Sequence, residues 1–516
     1  MEYIIVQAGG RGTRLGYLTK NKPKALAPVE NLPMLFHLFR KYPDKRFVII
    51  ADYKRDVMRR YLSEFSKVKY QVVDASGMGT CAGVKQALAL IPDGKEFMLI
   101  WSDLILPEAF RLPDGYADSG ASPDRNYVGL SGTFACRWKY ENNQFSEERS
   151  TEYGVAGFFL FKSKDLLEGV PESGELVRWF HERGMKFSTL SLAGTREFGI
   201  LEEYEKLGAT KTRPFNRITV DGEILTKIPL DEQGESLAKR ECAWYRKAKE
   251  RNIDGIPEIY ETNPLKMEFI KGQNIYECRL NYGKKRKVLE RLVNTLEELH
   301  GMIRMPADSF SMKEAYFTKT MQRLSKVEDL VPFAREKFIR VNGRNCRNFF
   351  YYRDKLEKML DRIKPMPFCF IHGDCTFSNL MLRDTGEPVL IDPRGYFGFT
   401  ELYGDVRYDW AKLYYSIVGN YDMFNLKKFS LDIGGHSVVD GETIKELDAG
   451  EIRLSIESNG WEDMEEDFFA LTGADKQEIK LLHAVIWLSL TTYAWQDYDS
   501  ICGAFYNGLY YLEEVL

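Results

Sequence analysis

The run Ile371-His372-Gly373-Asp374-Cys375-Thr376-Phe377-Ser378-Asn379-Leu380, followed by Val389-Leu390-Ile391-Asp392, gathers oxygen-bearing side chains at short, fixed intervals. Asp374 and Asn379 are five apart, and Asp392 lies thirteen beyond, past a turn at Asp384-Thr385-Gly386. Phosphoryl transfer needs a carboxylate near the acceptor hydroxyl and further oxygen ligands for Mg²⁺ on the phosphates. These residue types at this spacing meet that need, and a chance coincidence of the whole pattern is improbable.

A second constellation stands at the other end of the chain. After the apolar run Tyr3-Ile4-Ile5-Val6 comes Gln7-Ala8-Gly9-Gly10-Arg11-Gly12-Thr13-Arg14-Leu15. Glycines there let the backbone approach a phosphate chain, with free N–H groups of the turn and the helix start as donors. A tight strand-to-helix turn is the plain alternative. A dinucleotide site is another, but Leu15 stands where its third glycine belongs. The basic segment Lys20-Asn21-Lys22-Pro23-Lys24-Ala25-Leu26 follows. Taken singly these lysines read as solvated charges. With Arg14 beside a phosphate loop they read as counter-charges for a triphosphate and its leaving pyrophosphate.

The elements that must carry these residues fall into two patterns. Over the first 200 residues, apolar runs at 3–7, 47–51, 69–73, 97–101, 126–130 and 155–161 alternate with helical spacing such as Gly83 to Leu90. That predicts an α/β domain, a mostly parallel doubly wound sheet, with ligands at the carboxyl ends of its strands. The pattern changes around Leu207 to Pro214, placing one domain at 1–208 and another at 213–516. In the second, strands at 215–220 and 223–228 meet at Asp221-Gly222, a hairpin signal. A helix at 235–251 and strands near 257–261 and 265–270 complete a small β lobe, about 213–272. A helical lobe, about 273–516, has helices at 285–302, 344–363 and 476–497 and an inserted hairpin between about Ile433 and Glu457.

Composition excludes more than it identifies. Of 516 residues, 44% are hydrophobic and 29% charged, which rules out a disordered or fibrous chain. The net charge of −4 argues against a dedicated nucleic-acid binder. The 8 cysteines show no CxxC and no metal-ligand spacing, so free thiols in a reducing compartment are expected. Apolar runs fall short of a membrane span and no cleavable leader is seen, so the expectation is a soluble cytoplasmic protein without membrane insertion.

Ala8 to Leu15 with Pro23 to Leu26 resembles the signature of the sugar-nucleotide and phosphocholine nucleotidyltransferase superfamily, roughly A-G-x-G-[TS]-R-L and then P-K-x-L. The resemblance implies that Ala8, Gly9, Gly10, Gly12 and Thr13 bind nucleotide phosphates, with Arg14 and Lys24 catalytic. Gly79-Thr80 looks like the family's loop near the nucleobase, and Ser102-Asp103 like its Gly-Asp metal site. Alone, a strand-terminal Asp is more often a turn residue; after a phosphate loop, Asp103 reads as a Mg²⁺ ligand. The second metal carboxylate would be Glu197, in Glu197-Phe198-Gly199-Ile200, with Glu for the family's Asp and Ile for its Thr.

The distal motif resembles the aminoglycoside phosphotransferase and choline kinase family, a branch of the protein-kinase-like fold. The resemblance implies Asp374 as catalytic base, Asn379 and Asp392 as Mg²⁺ ligands, and His372 as a support. It also implies Lys227 on the ATP phosphates, Glu241 orienting it, and Glu268 and Ile270 in the interlobe hinge at adenine. His300 reads as packing, and Asp405 to Asp409 as a brace. Asp392-Pro393-Arg394-Gly395 departs from the family's usual Asp-Trp/Phe-Glu, and Arg394 could face a substrate anion.

Together the two resemblances imply a kinase that makes a phosphate monoester and a nucleotidyltransferase that consumes it, using ATP, an NTP (CTP favoured) and Mg²⁺. The arrangement is similar to a fusion of bacterial choline kinase with phosphocholine cytidylyltransferase, serving cell-surface glycan decoration. A sugar kinase joined to a sugar-1-phosphate nucleotidyltransferase is the alternative. One degenerate, regulatory domain is a third reading. Choline would need an aromatic cage, for which Trp410, Trp487, Tyr493, Trp495 and Tyr498 are candidates, though aromatics at helical spacing are more often core.

Overall fold

Apolar runs of five to seven residues, too short for helices and rich in β-branched or aromatic side chains, become the strands of a central sheet. A computed structural model describes the chain except residues 76, 118–123, 200, 202–203, 205–215, 231, 435–436, 441–442 and 447–449. The expected boundary at Leu207 to Pro214 lies outside the described residues, as does Ile200. The chain divides into two compact units, one of Met1–Thr210 with Trp495–Asp499 and one of Lys211–Ala494 with Ser500–Leu516. Among the described residues no helix is long and apolar enough to cross a membrane, and all 8 cysteines are free.

In the first unit a seven-stranded sheet runs Ser188–Ser191, Tyr127–Leu130, Val155–Phe161, Phe97–Trp101, Tyr3–Gln7, Arg46–Ala51, Lys69–Asp74. Tyr3–Gln7 is parallel to both neighbours, and its Ile4, Ile5 and Val6 are fully buried, as expected of a strand covered on both faces. Val155–Phe161 is the antiparallel exception, pairing that way with the strands on both sides.

That strand carries a bulge. Val155 opposes Leu130 while Phe159 opposes Val128, so two extra residues intervene, and Gly157 sits there at φ +81°. A Cβ on Gly157 would lie 2.0 Å from Cδ2 of Trp101, two residues before Asp103. Gly157→Ala is therefore expected to destabilise the first unit by about 3 kcal/mol, through φ strain plus overpacking. Thermal unfolding of the variant checks this, and a shift of less than one degree would remove the bulge from the account.

The second unit opens with the hairpin Asn216–Asp221 and Ile224–Pro229, turning at Gly222 with φ +59°. Leu265–Glu268 and Ile259–Thr262 extend it to four antiparallel strands, and the helix Glu232–Glu250 lies between in sequence. Beyond, Tyr282–Gly301 buries Leu289, Leu292, Val293, Leu296 and Leu299 at helical spacing. Val406–Ile417 and Lys476–Leu490 pack together in the same unit. This is a kinase-like arrangement of a small β lobe and a helical lobe.

Two expected helices need correction. The segment read as a helix at 344–363 begins as a strand, Arg344–Arg347, paired with Phe338–Val341, and the helix is Phe349–Leu360. Asn342 and Gly343 both have positive φ there, an Asn-Gly hairpin turn. Phe338–Val341 also pairs with Glu451–Ile456, which pairs with Phe429–Ile433. The hairpin expected after Ile433 is present as Ser437–Asp440 and Thr443–Glu446. The helix expected at 476–497 stops at Leu490 and continues as a tighter turn, Thr491–Ala494.

Within Lys476–Leu490, His483 is buried and its Nε2 accepts the indole N–H of Trp487 at 3.0 Å. Burial, then the charge of Lys480, lowers its pKa to about 3. Protonation would put a hydrogen on the accepting nitrogen. The folded state binds this proton less readily than the unfolded chain, so the stabilisation is full above pH 6.5 and erodes as pH falls toward 3. Between pH 6.5 and 4 the unfolding free energy should fall about 3 kcal/mol more than in His483→Gln, which does not titrate. Urea unfolding followed by tryptophan fluorescence at each pH measures the difference, and parallel curves would exclude His483 as the cause.

Candidate active sites

In the first unit the glycine loop leaves the end of Tyr3–Gln7 and is pinned to the neighbouring strand's end. Ala8 N–H donates to Ile50 O at 3.0 Å and Tyr53 N–H to Gly9 O at 3.2 Å. Among the described residues, the N–H groups of Gly10, Arg11 and Gly12 have no acceptor. Consecutive undirected N–H groups make an anion cradle. The expected helix does not follow: Thr13–Thr19 is a run of tight 3₁₀ turns, broken at Gly16. Gly12, at φ +68°, has no Cβ where one would come within 3.0 Å of Lys24 Cβ. That absence lets the Pro23–Leu26 segment close on the loop.

Lys24 Nζ reaches the Asp103 carboxylate. Asp103 follows Phe97–Trp101 and is buried, and its backbone O accepts from Phe198 N–H at 3.1 Å. The short pairing of Arg196–Glu197 with Leu104–Ile105 sets Glu197 beside Asp103. Burial first, and then the Asp103 charge, push the Glu197 carboxyl up, with Lys24 and Arg14 pulling it back. A Cβ on Gly199 would collide with Glu197 Oε1 and lie 3.3 Å from Arg14 Nη2, so these groups crowd one spot. Arg14, Lys24, Asp103 and Glu197 thus converge beside the cradle.

Gly79 and Thr80 are strapped to another loop: Thr80 Oγ1 accepts from Leu176 N–H at 2.8 Å, and Gly79, at φ +88°, abuts Gly174 O. Sequence reasoning gave Gln7 no role, yet its Nε2 donates to Thr80 O at 2.5 Å and to Ala82 O at 3.1 Å, joining the cradle strand to this loop. A lone amide ending an apolar strand was its signal. Lys22 corrects the counter-charge reading. It is buried and paired with Asp497 at 3.0 Å and with Asp499, both in this unit, so it is a structural cation.

In the second unit Lys227 Nζ lies 2.7 Å from Glu241 Oε2 and 2.6 Å from Asp392 Oδ1. Burial alone would lower the Lys227 pKa, but Asp392 and Glu241 outweigh it and hold it raised. Asp392 has φ +53°, an uncommon backbone state for a residue other than glycine. Asn379 Nδ2 donates to Asp374 O at 3.0 Å and Oδ2 at 3.1 Å. At the hinge, Glu268 N–H goes to Glu258 O and Phe269 N–H to Glu223 O. The Glu268 carboxylate holds Arg383, at 2.8 Å for one oxygen. Any adenine contact there falls to backbone; among the described residues Ile270 N–H has no acceptor.

The backbone at His372 and Gly373 is held from behind. Asp409, fully buried in Val406–Ile417, accepts from His372 N–H at 2.9 Å, Gly373 N–H at 2.7 Å and His300 Nε2 at 3.0 Å. Burial would raise its pKa, but His300 and these donors hold it below the usual carboxylate range. His300 is therefore a hydrogen-bonding member of the brace as well as packing against Trp410. His372 donates from Nε2 to Ile391 O at 2.9 Å and accepts Asp374 N–H on Nδ1 at 3.3 Å; burial lowers its pKa. Lys412, one helical turn after Asp409, reaches Asp374 Oδ1 at 3.1 Å. Sequence reasoning missed it, although the three-residue spacing from Asp409 on one helix was its signal.

Within the second unit the choline aromatics Trp410, Trp487 and Tyr493 each pack on other partners. Trp410 faces His300, and Trp487 packs on Tyr415 and Phe424. Trp495 and Tyr498 belong to the first unit, Trp495 stacking near Phe36 and Phe65. The Tyr493 ring lies 4.9 Å from the Arg323 guanidinium.

Residues 3–112 match the Nucleotidyl transferase family and residues 215–427 the Phosphotransferase enzyme family. The chain thus carries a nucleotidyl transferase domain followed by a phosphotransferase-family domain. It is 32% identical over 93 residues to a D-glycero-alpha-D-manno-heptose 1-phosphate guanylyltransferase of Campylobacter jejuni, covering 17% of this chain and 42% of the relative. It is 31% identical over 107 residues to the UTP–glucose-1-phosphate uridylyltransferase AglF of Haloferax volcanii, covering 20% and 43%. The chain therefore spans less than half the length of these relatives. Among solved structures it resembles the CTP:phosphocholine cytidylyltransferase LicC of Streptococcus pneumoniae, at 18% identity and TM-score 0.30 over 40% of this chain and 98% of that one.

Proposed function

We propose that the chain is a bifunctional transferase: its second unit phosphorylates a small alcohol or sugar with ATP, and its first unit transfers a nucleotidyl group to the resulting monoester. One observation carries the reading. Arg14, Lys24, Asp103 and Glu197 meet beside an N–H cradle on the same chain that gathers Lys227, Glu241, Asp392, Asn379 and Asp374.

The donor sets fit a hard divalent cation. Asp103 and Glu197 are crowded carboxylates, Glu197 being raised by burial and then by the Asp103 charge, and Asp392 offers oxygens beside Lys227 while Asn379 lies against Asp374. Mg²⁺, when bound by these residues, supplies neutralisation of phosphate charge. In the second unit Asp374 takes the proton of the acceptor hydroxyl as its oxygen bonds to the γ-phosphorus and the bond to ADP breaks. Lys227 holds the nucleotide phosphates, and Glu241 fixes Lys227. In the first unit an oxygen of the monoester bonds to the α-phosphorus of the NTP and pyrophosphate leaves. Arg14 and Lys24 offset the repulsion between the two anions, and the cradle amides orient the triphosphate.

The sugar-1-phosphate relatives support a sugar or polyol product over choline. The nucleobase is best assigned by comparison of CTP, UTP and GTP. Phosphorus NMR of the full chain with Mg²⁺, ATP, each NTP and a panel of alcohols and sugars tests the proposal. A new monoester followed by a diphosphate diester and pyrophosphate is expected. Intact ATP throughout would overturn the kinase assignment, and absence of pyrophosphate with supplied monoesters would overturn the transferase assignment.

A further inference from the structure

Beside Asp374 the second unit gathers an excess of positive charge that the phosphoryl-transfer roles above do not use. Arg394, two residues after Asp392, runs against the catalytic loop: a Cβ on Gly373 would lie 3.1 Å from its Cβ. Its guanidinium donates to Tyr408 Oη at 2.7 Å and Tyr396 Oη at 2.6 Å, two neutral partners. Arg323 donates to Ser489 O at 2.6 Å and Ser489 Oγ at 3.0 Å, again neutral. Lys319 Nζ lies 5.6 Å from the Tyr396 ring centre and, among the described residues, this ammonium makes no hydrogen bond or ion pair. Among the described residues Lys412 is the one of these cations in an ion pair, with Asp374, whose charge also acts on Arg394.

These cations act on one another. Lys319 is lowered to about 7, by burial first and then by the charges of Arg394, Arg323 and Lys412, with Glu314 opposing. Arg323 is lowered by burial and by Arg394. Lys319 and Arg323 stand one turn apart on the helix Lys319–Leu324, and with Arg394, Lys412 and Arg240 they make five cations against three carboxylates, Asp374, Glu314 and Glu401, in a partly buried place where like charges repel. Such crowding is costly unless an anion completes it. A cationic acceptor would add to the repulsion.

We propose that Lys319, Arg323 and Arg394 form an oxyanion subsite, so that the acceptor alcohol carries a carboxylate or phosphate group beside the hydroxyl that is phosphorylated. The inference rests on the phosphotransferase reading of the second unit and names its acceptor class. The tyrosines fit the role. Tyr396 and Tyr408 fix the Arg394 fork without neutralising it, and Arg240, Arg394 and Lys319 all lie over the Tyr396 ring. The subsite selects an acceptor by charge and orients it, while Asp374 receives its proton.

The test compares matched acceptors with the full chain, Mg²⁺ and ATP, reading ADP release. The pairs are glycerate against glycerol, glucuronate against glucose and glucose 6-phosphate against glucose, with choline alongside. The anionic partner of at least one pair should be favoured in kcat/KM by 50-fold or more; the first two pairs report a carboxylate and the third a phosphate. Arg323→Gln and Lys319→Met should each cut that ratio at least tenfold, and Arg323→Lys should recover part of it. If Arg323→Gln fails to fold, Lys319→Met carries the comparison. Ratios at or below one in every pair, or preference for choline, would overturn the oxyanion subsite while leaving the kinase intact. No ADP release above that of Asp374→Asn with any acceptor would overturn the phosphotransferase reading and this inference with it.

Discussion

Asp374→Asn should lower the second unit's phosphoryl transfer by about 10³-fold while leaving nucleotidyl transfer to a supplied monoester unchanged. The substitution keeps size and shape but removes the proton acceptor and the charge facing Lys412. The loop backbone is held by Asp409 through the amides of residues 372 and 373. Its course should therefore survive, and the loss should fall on kcat with the KM for ATP nearly constant. ADP release and pyrophosphate release from the same preparation separate the two reactions. Retention of more than a tenth of the kinase rate would remove Asp374 from the chemistry.

The mirror experiment is Asp103→Asn. Asp103 is the partner of Lys24 and the main charge acting on Glu197. Its neutralisation should free Lys24 and let the Glu197 carboxyl return toward its ordinary range, leaving a single carboxylate for a divalent cation. Nucleotidyl transfer should fall by about 10² to 10³-fold, with ADP release in the second unit unaffected. The Mg²⁺ concentration giving half-maximal pyrophosphate release should rise in the same variant. An unchanged Mg²⁺ requirement would show that Asp103 acts through Lys24 alone.

Much of this was legible in the chain because it rests on short-range rules. The strands of the first unit were visible as apolar runs, since a strand buried on both faces cannot alternate. The distal motif was visible because its Asp and Asn lie in one loop, so spacing reports geometry directly. What escaped depended on distance or context. The Phe338–Val341 and Arg344–Arg347 hairpin was hidden because Arg and Asn residues broke its alternation, although Asn342-Gly343 marked the turn. Lys22 looked identical to Lys24 in sequence; only the fold supplies the carboxylates of Asp497 and Asp499, more than 470 residues on, that make it structural. The grouping of Lys319, Arg323 and Arg394 was illegible for the same reason.

The brace at Asp409 has a consequence for portability. The conformation of Ile371 to Leu380 is written partly on a separate helix, because one carboxylate there accepts two peptide N–H groups and the His300 ring from a third element. Peptide groups are common to every sequence, so the loop's own side chains have latitude to drift while its path stays constant. A transplant of that ten-residue segment into another scaffold would travel without its mould. Residues 300 and 409 have to move with it, and a library that diversifies the loop should keep those two positions fixed.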